Sequence, residues 1–222
     1  MSQDTCLMIM NPRAIPDCMA SLKALTGVDK LWLSYYTEAQ LVPIINEFID
    51  STDYKRYALI SDDAVLTQSA LNTILDLHDE LGDVATGWVN VDAVSGQSTI
   101  NPTPLRGYIP TLAAYSLMSL QDAADLPRLK PIRTYFHGYA CTVMSRDLWQ
   151  HYPYNVFGAH SHGYASDFHQ CVRLQADDVP IWTTPKAFIH HVKERANLTD
   201  KAPEKKIYVG IRTAGTTLEQ GA

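Results

Sequence analysis

Tyr57-Ala58-Leu59-Ile60-Ser61-Asp62-Asp63 (YALISDD) is the stretch on which the reading of this chain turns. Its four-residue apolar run suits a strand buried on both faces, as in parallel sheets. The two acids that follow repel each other unless a cation or hydrogen-bond donors compensate. Open α/β sheets bind ligands at the carboxyl ends of their strands. Hard cations such as Mg²⁺ or Mn²⁺ take oxygen ligands there and leave their remaining positions to substrate phosphates. Asp62 and Asp63 are therefore candidate metal and phosphate residues. An Asx turn or a cap toward Thr67 would explain the same pair without chemistry.

Outward from this stretch, the first half alternates short apolar runs with helical patterns, which predicts an α/β layer with a largely parallel sheet. Cys6–Met10 reads as a buried strand closed by Asn11-Pro12, and Lys30–Tyr36 as a second strand. Thr37, with Gln40 three residues on, is placed to cap a helix carrying Leu41, Ile44, Ile45, Phe48 and Ile49. Pro43 must start or kink that helix. Thr67 caps the next, with Leu71, Ile74, Leu75 and Leu81 as its buried stripe and Gly82 as its stop. Asp83–Val91 reads as a fourth strand.

From Asp92 to Arg133 prolines and glycines break the pattern, and so long an irregular segment in a compact domain points to binding. Order returns at Tyr139–Met144, a strand feeding a helix from Ser145. Ser166 is expected to cap a helix with Phe168, Cys171 and Val172 on one face. Val179–Thr183 and Ala187–Ile189 read as short strands, and the end after Tyr208–Ile211 as loose.

At 222 residues the chain can bury an ample core as one domain. Hydrophobic residues make up 46% and charged residues 19%, which excludes wholesale disorder. No apolar run approaches the roughly 20 residues needed to cross a bilayer. The opening MSQDTCLMIMNPR lacks the basic region of a signal peptide, so a soluble, cytoplasmic chain is expected. Cys6, Cys18, Cys141 and Cys171 form no CxxC pair and read as reduced core residues. Net charge is −6, yet Lys186 to Arg212 carries seven basic residues against three acidic ones, leaving −10 elsewhere. That argues against a general polyanion binder, while a local basic tail suffices for a diphosphate or one stretch of nucleic-acid backbone.

Two further constellations carry chemistry. Ser166-Asp167 opens a helix, where the dipole favours an ionised carboxylate, and such a group near a hydroxyl can act as a general base. Capping explains the same residues. His190-His191 follows the run Pro185–Ile189, where one ring nitrogen can complete a metal site, although surface histidines are the plainer account. His160 and His162, an HxH pair, with Asp167 also fit part of a hydrolase metal site, but that reading leaves Asp62-Asp63 unexplained.

The order of these pieces resembles glycosyltransferase family 2 and its GT-A relatives. The specific segments are Tyr57–Asp63 and Ser166–His191, the latter within SDFHQCVRLQADDVPIWTTPKAFIHHV. The resemblance implies a Rossmann-like nucleotide-binding sandwich, a mostly parallel central sheet with flanking helices. It aligns Ser61-Asp62-Asp63 with a DxD-type triad whose last acid, Asp63, binds the metal and donor diphosphate, with Asp62 at the middle position. Asp167 matches the catalytic base, and one of His190 and His191 the metal ligand, His190 being favoured because it directly follows Ile189. Lys193 and Arg195 are placed to close over the diphosphate.

The implied activity is Mn²⁺- or Mg²⁺-dependent, inverting transfer of a sugar from a nucleotide-sugar to an acceptor hydroxyl. The acceptor is a saccharide or a hydroxylated base in DNA. The implied organisation is one domain over 1–222: a donor half to about 92, an acceptor half over 93–192 and a basic tail over 193–222. A nucleotidyltransferase or a non-catalytic sugar- or nucleic-acid-binding protein is the alternative. Ser61 and Ser166 stand where the family has acids, and LSYYTE replaces its acidic turn after the second strand.

Overall fold

A computed structural model of the chain describes residues 4–11, 13–34, 38–91, 96–127, 130–156, 165–192, 209–213 and 216–220. The first strand, β1 (Thr5–Met10), is buried along its whole length. Its alternation divides the core: Cys6, Met8 and Met10 face one hydrophobic cluster, Leu7 and Ile9 the other. α1 (Pro16–Ala24) leads to β2 (Asp29–Leu33), and α2 (Glu38–Ser51, with Pro43 inside it) leads to β3 (Arg56–Ser61). β1 pairs in parallel with β2 on one side and β3 on the other. The chain thus steps outward and returns across β1, which creates a topological switch point between β1 and β3.

After β4 (Ala64–Val65), α3 (Gln68–Leu81) begins and ends as its sequence predicts. Thr67 Oγ1 accepts the Ala70 N–H at 3.1 Å, and Gly82 stops the helix at φ 79°. β5 (Val84–Thr86), α4 (Leu120–Asp125), β6 (Ile132–Thr134) and β7 (Thr142–Ser145) follow, then α5 (Arg146–His151), capped by Ser145, and α6 (Ser166–Ala176). β8 (Ile181–Thr183), β9 (His190–His191), β10 (Val209–Thr213) and β11 (Thr216–Gln220) complete the order.

The main sheet runs β11-β10-β2-β1-β3-β7-β5-β8-β6. β2, β1, β3, β5 and β8 share one direction, while β7 and β6 run against it. Leu22 of α1 and Leu71 and Ile74 of α3 pack on one face of the sheet, and Ile45 of α2, Trp149 of α5 and Phe168 of α6 on the other. The result is a mixed α/β sandwich with helices on both faces.

Several expectations are corrected. The predicted fourth strand ends at Thr86, because Gly87 leaves the regular ladder. A Cβ on Gly87 would lie 2.6 Å from the Ala140 carbonyl and collide with the Ile189 side chain, so only glycine fits this crossing. Ser166 is the first helical residue of α6 rather than its cap; Ala165, with no capping side chain, holds that position. The short strand expected over Ala187–Ile189 is displaced: Pro185–Ala187 form a 3₁₀ turn, and the strand that follows is His190–His191. The loose end expected after Ile211 is replaced by β10 and β11, a hairpin that adds antiparallel to β2. Thr37 lies outside the described residues. Among the described residues no helix is long and apolar enough to cross a membrane. All four cysteines are free and buried, as read.

Candidate active site

Asp63 leaves β3 in a turn and enters β4, which pairs antiparallel with β9 so that Ala64 lies opposite His191. The Val192 N–H donates to the Asp63 carbonyl at 2.6 Å and closes that ladder. These backbone bonds bring His191 Nε2 to 2.9 Å from Asp63 Oδ2, across 128 residues of sequence. Burial works against the Asp63 charge. It is outweighed by the hydrogen bond to His191 and by the Arg13 guanidinium, which together hold the carboxyl well below its usual range.

His190 is the residue the structure moves away from this contact. Side chains alternate along an extended segment, so His191 shares a face with buried Ile189, while His190 follows exposed Phe188 outward. Following an apolar run directly is therefore the wrong signal; being two residues beyond a buried one is the right one.

The Asp63–His191 pair suits a divalent cation. His191 Nδ1 lies 3.0 Å from the Asn90 carbonyl, which can only accept, so Nδ1 carries a proton and Nε2 is the ring nitrogen left to face Asp63. A proton, or a metal ion in its place, must lie between Nε2 and the Asp63 carboxylate oxygen. Two ligands at right angles on an octahedral ion, each at about 2.1 Å, are about 3 Å apart, close to the separation present. Among the described residues no cluster of three or more His, Cys, Asp or Glu could hold a metal. Two protein ligands leave the other positions to substrate phosphates and water, as is common for Mg²⁺.

Asp62 differs from its expected role. It is completely buried, and its carboxylate turns back under the loop after β1. There Oδ2 accepts the backbone N–H groups of Arg13 and Ala14 at 2.9 and 2.5 Å, and Oδ1 accepts Arg13 Nε at 3.0 Å. A carboxylate so occupied has no face left for a donor diphosphate; it is an anchor. Arg13 is the residue sequence reading passed over. Its Nη1 reaches Asp63 Oδ2 at 2.7 Å and its Nη2 reaches Ser61 Oγ at 2.7 Å, so one guanidinium spans the whole triad.

Asp167 sits in the first turn of α6, its Oδ1 accepting the Phe168 N–H at 2.8 Å. Asp63, His191, Ser61 and Asp167 line one cavity of about 390 Å³. Tyr115, Phe136 and Tyr139 supply aromatic walls to the same cavity. Tyr115 and Phe136 meet edge to face at 5.0 Å. Burial, and then the Asp167 charge, raise the Tyr115 hydroxyl above its ordinary range. Among the described residues, four non-glycine residues have positive φ: Ala14, Cys141, Ala165 and Asp178. Three of them adjoin the site: Ala14 follows Arg13, Cys141 follows cavity-lining Ala140, and Ala165 stands two residues before Asp167. Strain of this kind concentrates where structure must hold a functional geometry.

No family model and no curated protein matches the chain. Solved structures do resemble it, at low identity. A197 from STIV is 11% identical, with 88% of this chain and 96% of that chain covered and a TM-score of 0.55. GalNAc-T7 with UDP, GalNAc and Mn²⁺ is 8% identical, with 90% of this chain covered and a TM-score of 0.56. The match covers 45% of the GalNAc-T7 chain, so this protein spans under half of it. The fold is Rossmann-like, of the GT-A type. At such identities the likeness is one of fold alone, and activity has to be argued from the site. The inositol-1-phosphate CTP transferase from T. maritima, 10% identical over 90% of this chain and 93% of that one, has a TM-score of 0.43, too low to bear on the fold.

Lys193 and Arg195, expected over the diphosphate, lie outside the described residues, as do His160 and His162. The Arg13 contact had no signal beyond one arginine in a proline-bearing loop. The aromatic walls had a better one, since their residues fall in or beside the irregular segment already assigned to binding.

His137, fully buried beside cavity-lining Phe136 and Gly138, gives this region a pH dependence. Its Nδ1 lies 2.6 Å from the Gly138 carbonyl and its Nε2 3.0 Å from Gln170 Oε1. Burial pushes its pKa down to about 4 despite both oxygens. In the unfolded chain it titrates near 6.5, so between about pH 6.5 and 4 the unfolded state binds more protons. Stability from this group is therefore complete above about pH 6.5 and falls by on the order of 3 kcal/mol as pH drops to about 4. Urea unfolding across that range should show the loss, and His137→Asn should flatten it. An unchanged slope in the variant would assign the dependence to other groups.

Proposed function

We propose that this protein is a glycosyltransferase that moves a sugar from a nucleotide-sugar to an acceptor hydroxyl, with inversion at the anomeric carbon. The observation that carries the reading is that Asp63, His191 and Asp167 line one cavity at the carboxyl edge of the sheet. The likeness in fold to GalNAc-T7, a protein solved with UDP, GalNAc and Mn²⁺, supports the donor class and the cation. In this reading the chain is one catalytic domain acting in the cytoplasm, with the donor held by the half that ends near residue 92. Lys193 and Arg195 are proposed to close over the diphosphate.

Asp63 and His191 would hold the divalent cation, Mn²⁺ or Mg²⁺. Bound there, it supplies Lewis-acid stabilisation of the charge that builds on the leaving diphosphate. Asp167 accepts the proton of the acceptor hydroxyl as its oxygen bonds to the anomeric carbon and the bond from that carbon to the diphosphate oxygen breaks. The electron pair of the broken bond leaves with the nucleoside diphosphate. Tyr115, Phe136 and Tyr139 provide apolar faces for a sugar ring or a base and exclude water from the reacting centre. The acceptor is a saccharide or a hydroxylated base in DNA.

Thermal denaturation with each common nucleoside diphosphate, with and without Mn²⁺, tests the reading. One diphosphate should raise the melting temperature only with Mn²⁺, by the few degrees expected from saturating ligand. Lack of any shift, together with no hydrolysis or transfer from any sugar nucleotide, would remove the enzymatic reading in favour of a binding protein.

A further inference from the structure

We infer that Arg13 is a displaceable counter-cation, holding Asp63 until a divalent cation arrives and then turning its freed guanidinium to the donor diphosphate. The inference rests on the metal-dependent donor site proposed above and adds to it a residue, a ligand group and an order of events.

Three observations carry it. First, Asp63 Oδ2 is shared: His191 Nε2 lies 2.9 Å and Arg13 Nη1 2.7 Å from the same oxygen. A divalent ion bound to that oxygen and to His191 would stand against the guanidinium, and two positive charges so close repel strongly in a half-buried site. Cation entry therefore breaks the Nη1 contact.

Second, the root of Arg13 does not depend on Asp63. The backbone N–H groups of Arg13 and Ala14 and the side-chain Nε all end on Asp62, whose carboxylate is entirely buried. Release of Nη1 from Asp63 and of Nη2 from Ser61 leaves these three bonds in place. The guanidinium then pivots at a fixed point and is not lost to solvent. This assigns the middle acid of the triad a positioning role.

Third, the placement suits an anion. Arg13 follows β1 and Asp63 follows β3, adjacent parallel strands on either side of the switch point, where open α/β sheets take their ligands. The freed Nη1 and Nη2 edge presents donors in the planar fork that pairs with two phosphate oxygens at once. Cation and arginine then neutralise the diphosphate together, so that cation and diphosphate each favour the arrival of the other.

Two titrations read this directly: Mn²⁺ alone, and pyrophosphate in the presence of Mg²⁺, which supplies the diphosphate without a base. The parent should bind Mn²⁺ alone weakly and pyrophosphate with Mg²⁺ more tightly. Arg13→Gln should move the two in opposite directions, binding Mn²⁺ alone at least about threefold more tightly and pyrophosphate about tenfold or more weakly. Arg13→Lys, which keeps the charge near Asp62 but not the fork, should also weaken pyrophosphate, and it serves if the glutamine variant does not fold. Pyrophosphate binding as tight in both folded variants as in the parent would make Arg13 a structural tie and overturn the inference. So would parent binding of pyrophosphate that is equal with and without Mg²⁺, because Arg13 would then replace the cation instead of yielding to it. A parent that binds neither probe would instead sink the donor-site reading itself.

Discussion

Replacing Asp167 by asparagine is expected to lower turnover by roughly 10²–10⁴-fold, the usual worth of a positioned general base. The substitution is close to isosteric. Asp167 Oδ1 accepts the Phe168 N–H at 2.8 Å, and an asparagine oxygen can do the same, so the first turn of α6 keeps its local bond. What disappears is the capacity to take a proton. Binding of the donor diphosphate, which the proposal assigns to Asp63, His191 and Arg13, should therefore change little, and the loss should appear in kcat. Steady-state kinetics beside a urea unfolding curve separates the two effects. Turnover near that of the parent would assign the proton to another group. Lost folding with no separable kinetic defect would reduce Asp167 to a helix-start residue. Product stereochemistry gives an independent check, because a retained anomeric configuration is incompatible with one displacement assisted by this base.

The second large effect is expected at Asp63. Asp63→Ala should abolish the part of nucleoside diphosphate stabilisation that depends on Mn²⁺, which at a hundredfold excess over Kd amounts to about 2.7 kcal/mol. The alanine variant also strips Arg13 Nη1 and His191 Nε2 of their shared partner, and a modest loss of intrinsic stability, about 1–3 kcal/mol, is expected with it. Asp63→Asn isolates the cation effect. Its amide oxygen still accepts from Arg13, but the charge that draws a hard cation is gone. The asparagine variant should therefore fold and yet show no Mn²⁺-dependent shift. If it responds to Mn²⁺ and nucleotide as the parent does, the cation does not sit on Asp63, and the triad assignment fails.

Much of the architecture is local and was legible residue by residue. Thr67 and Gly82 bound α3 because a capping hydroxyl and a left-handed glycine satisfy helix ends wherever they occur. The apolar run Tyr57–Ile60 marks a doubly covered strand, and the acids after it lie at a sheet edge for the same reason. Asp167 in the first turn of α6 follows from the helical spacing of Phe168 and Cys171, which are both buried, although the third buried position is Leu174 and not Val172, which is only half-buried. Strand directions were less legible: β7, β6 and β10 run against their neighbours β3, β5, β8 and β2, and nothing in a short apolar run reports its direction.

The site required distance in sequence to collapse into distance in space. His191 meets Asp63 because β4 pairs with β9, two-residue strands whose register no periodicity announces. The preference between His190 and His191 turned on side-chain alternation measured from Ile189, which becomes readable only once Ile189 is known to be buried. Asp62 looked like the ligand partner of Asp63, yet successive residues leaving a strand face different ways, and its carboxylate went under the β1 loop to Arg13, 49 residues away. Hydrogen bonding and cation binding use the same chemistry in an aspartate. Composition and spacing can therefore nominate both acids, but the packing around each carboxylate separates the buried anchor from the one that faces the cavity.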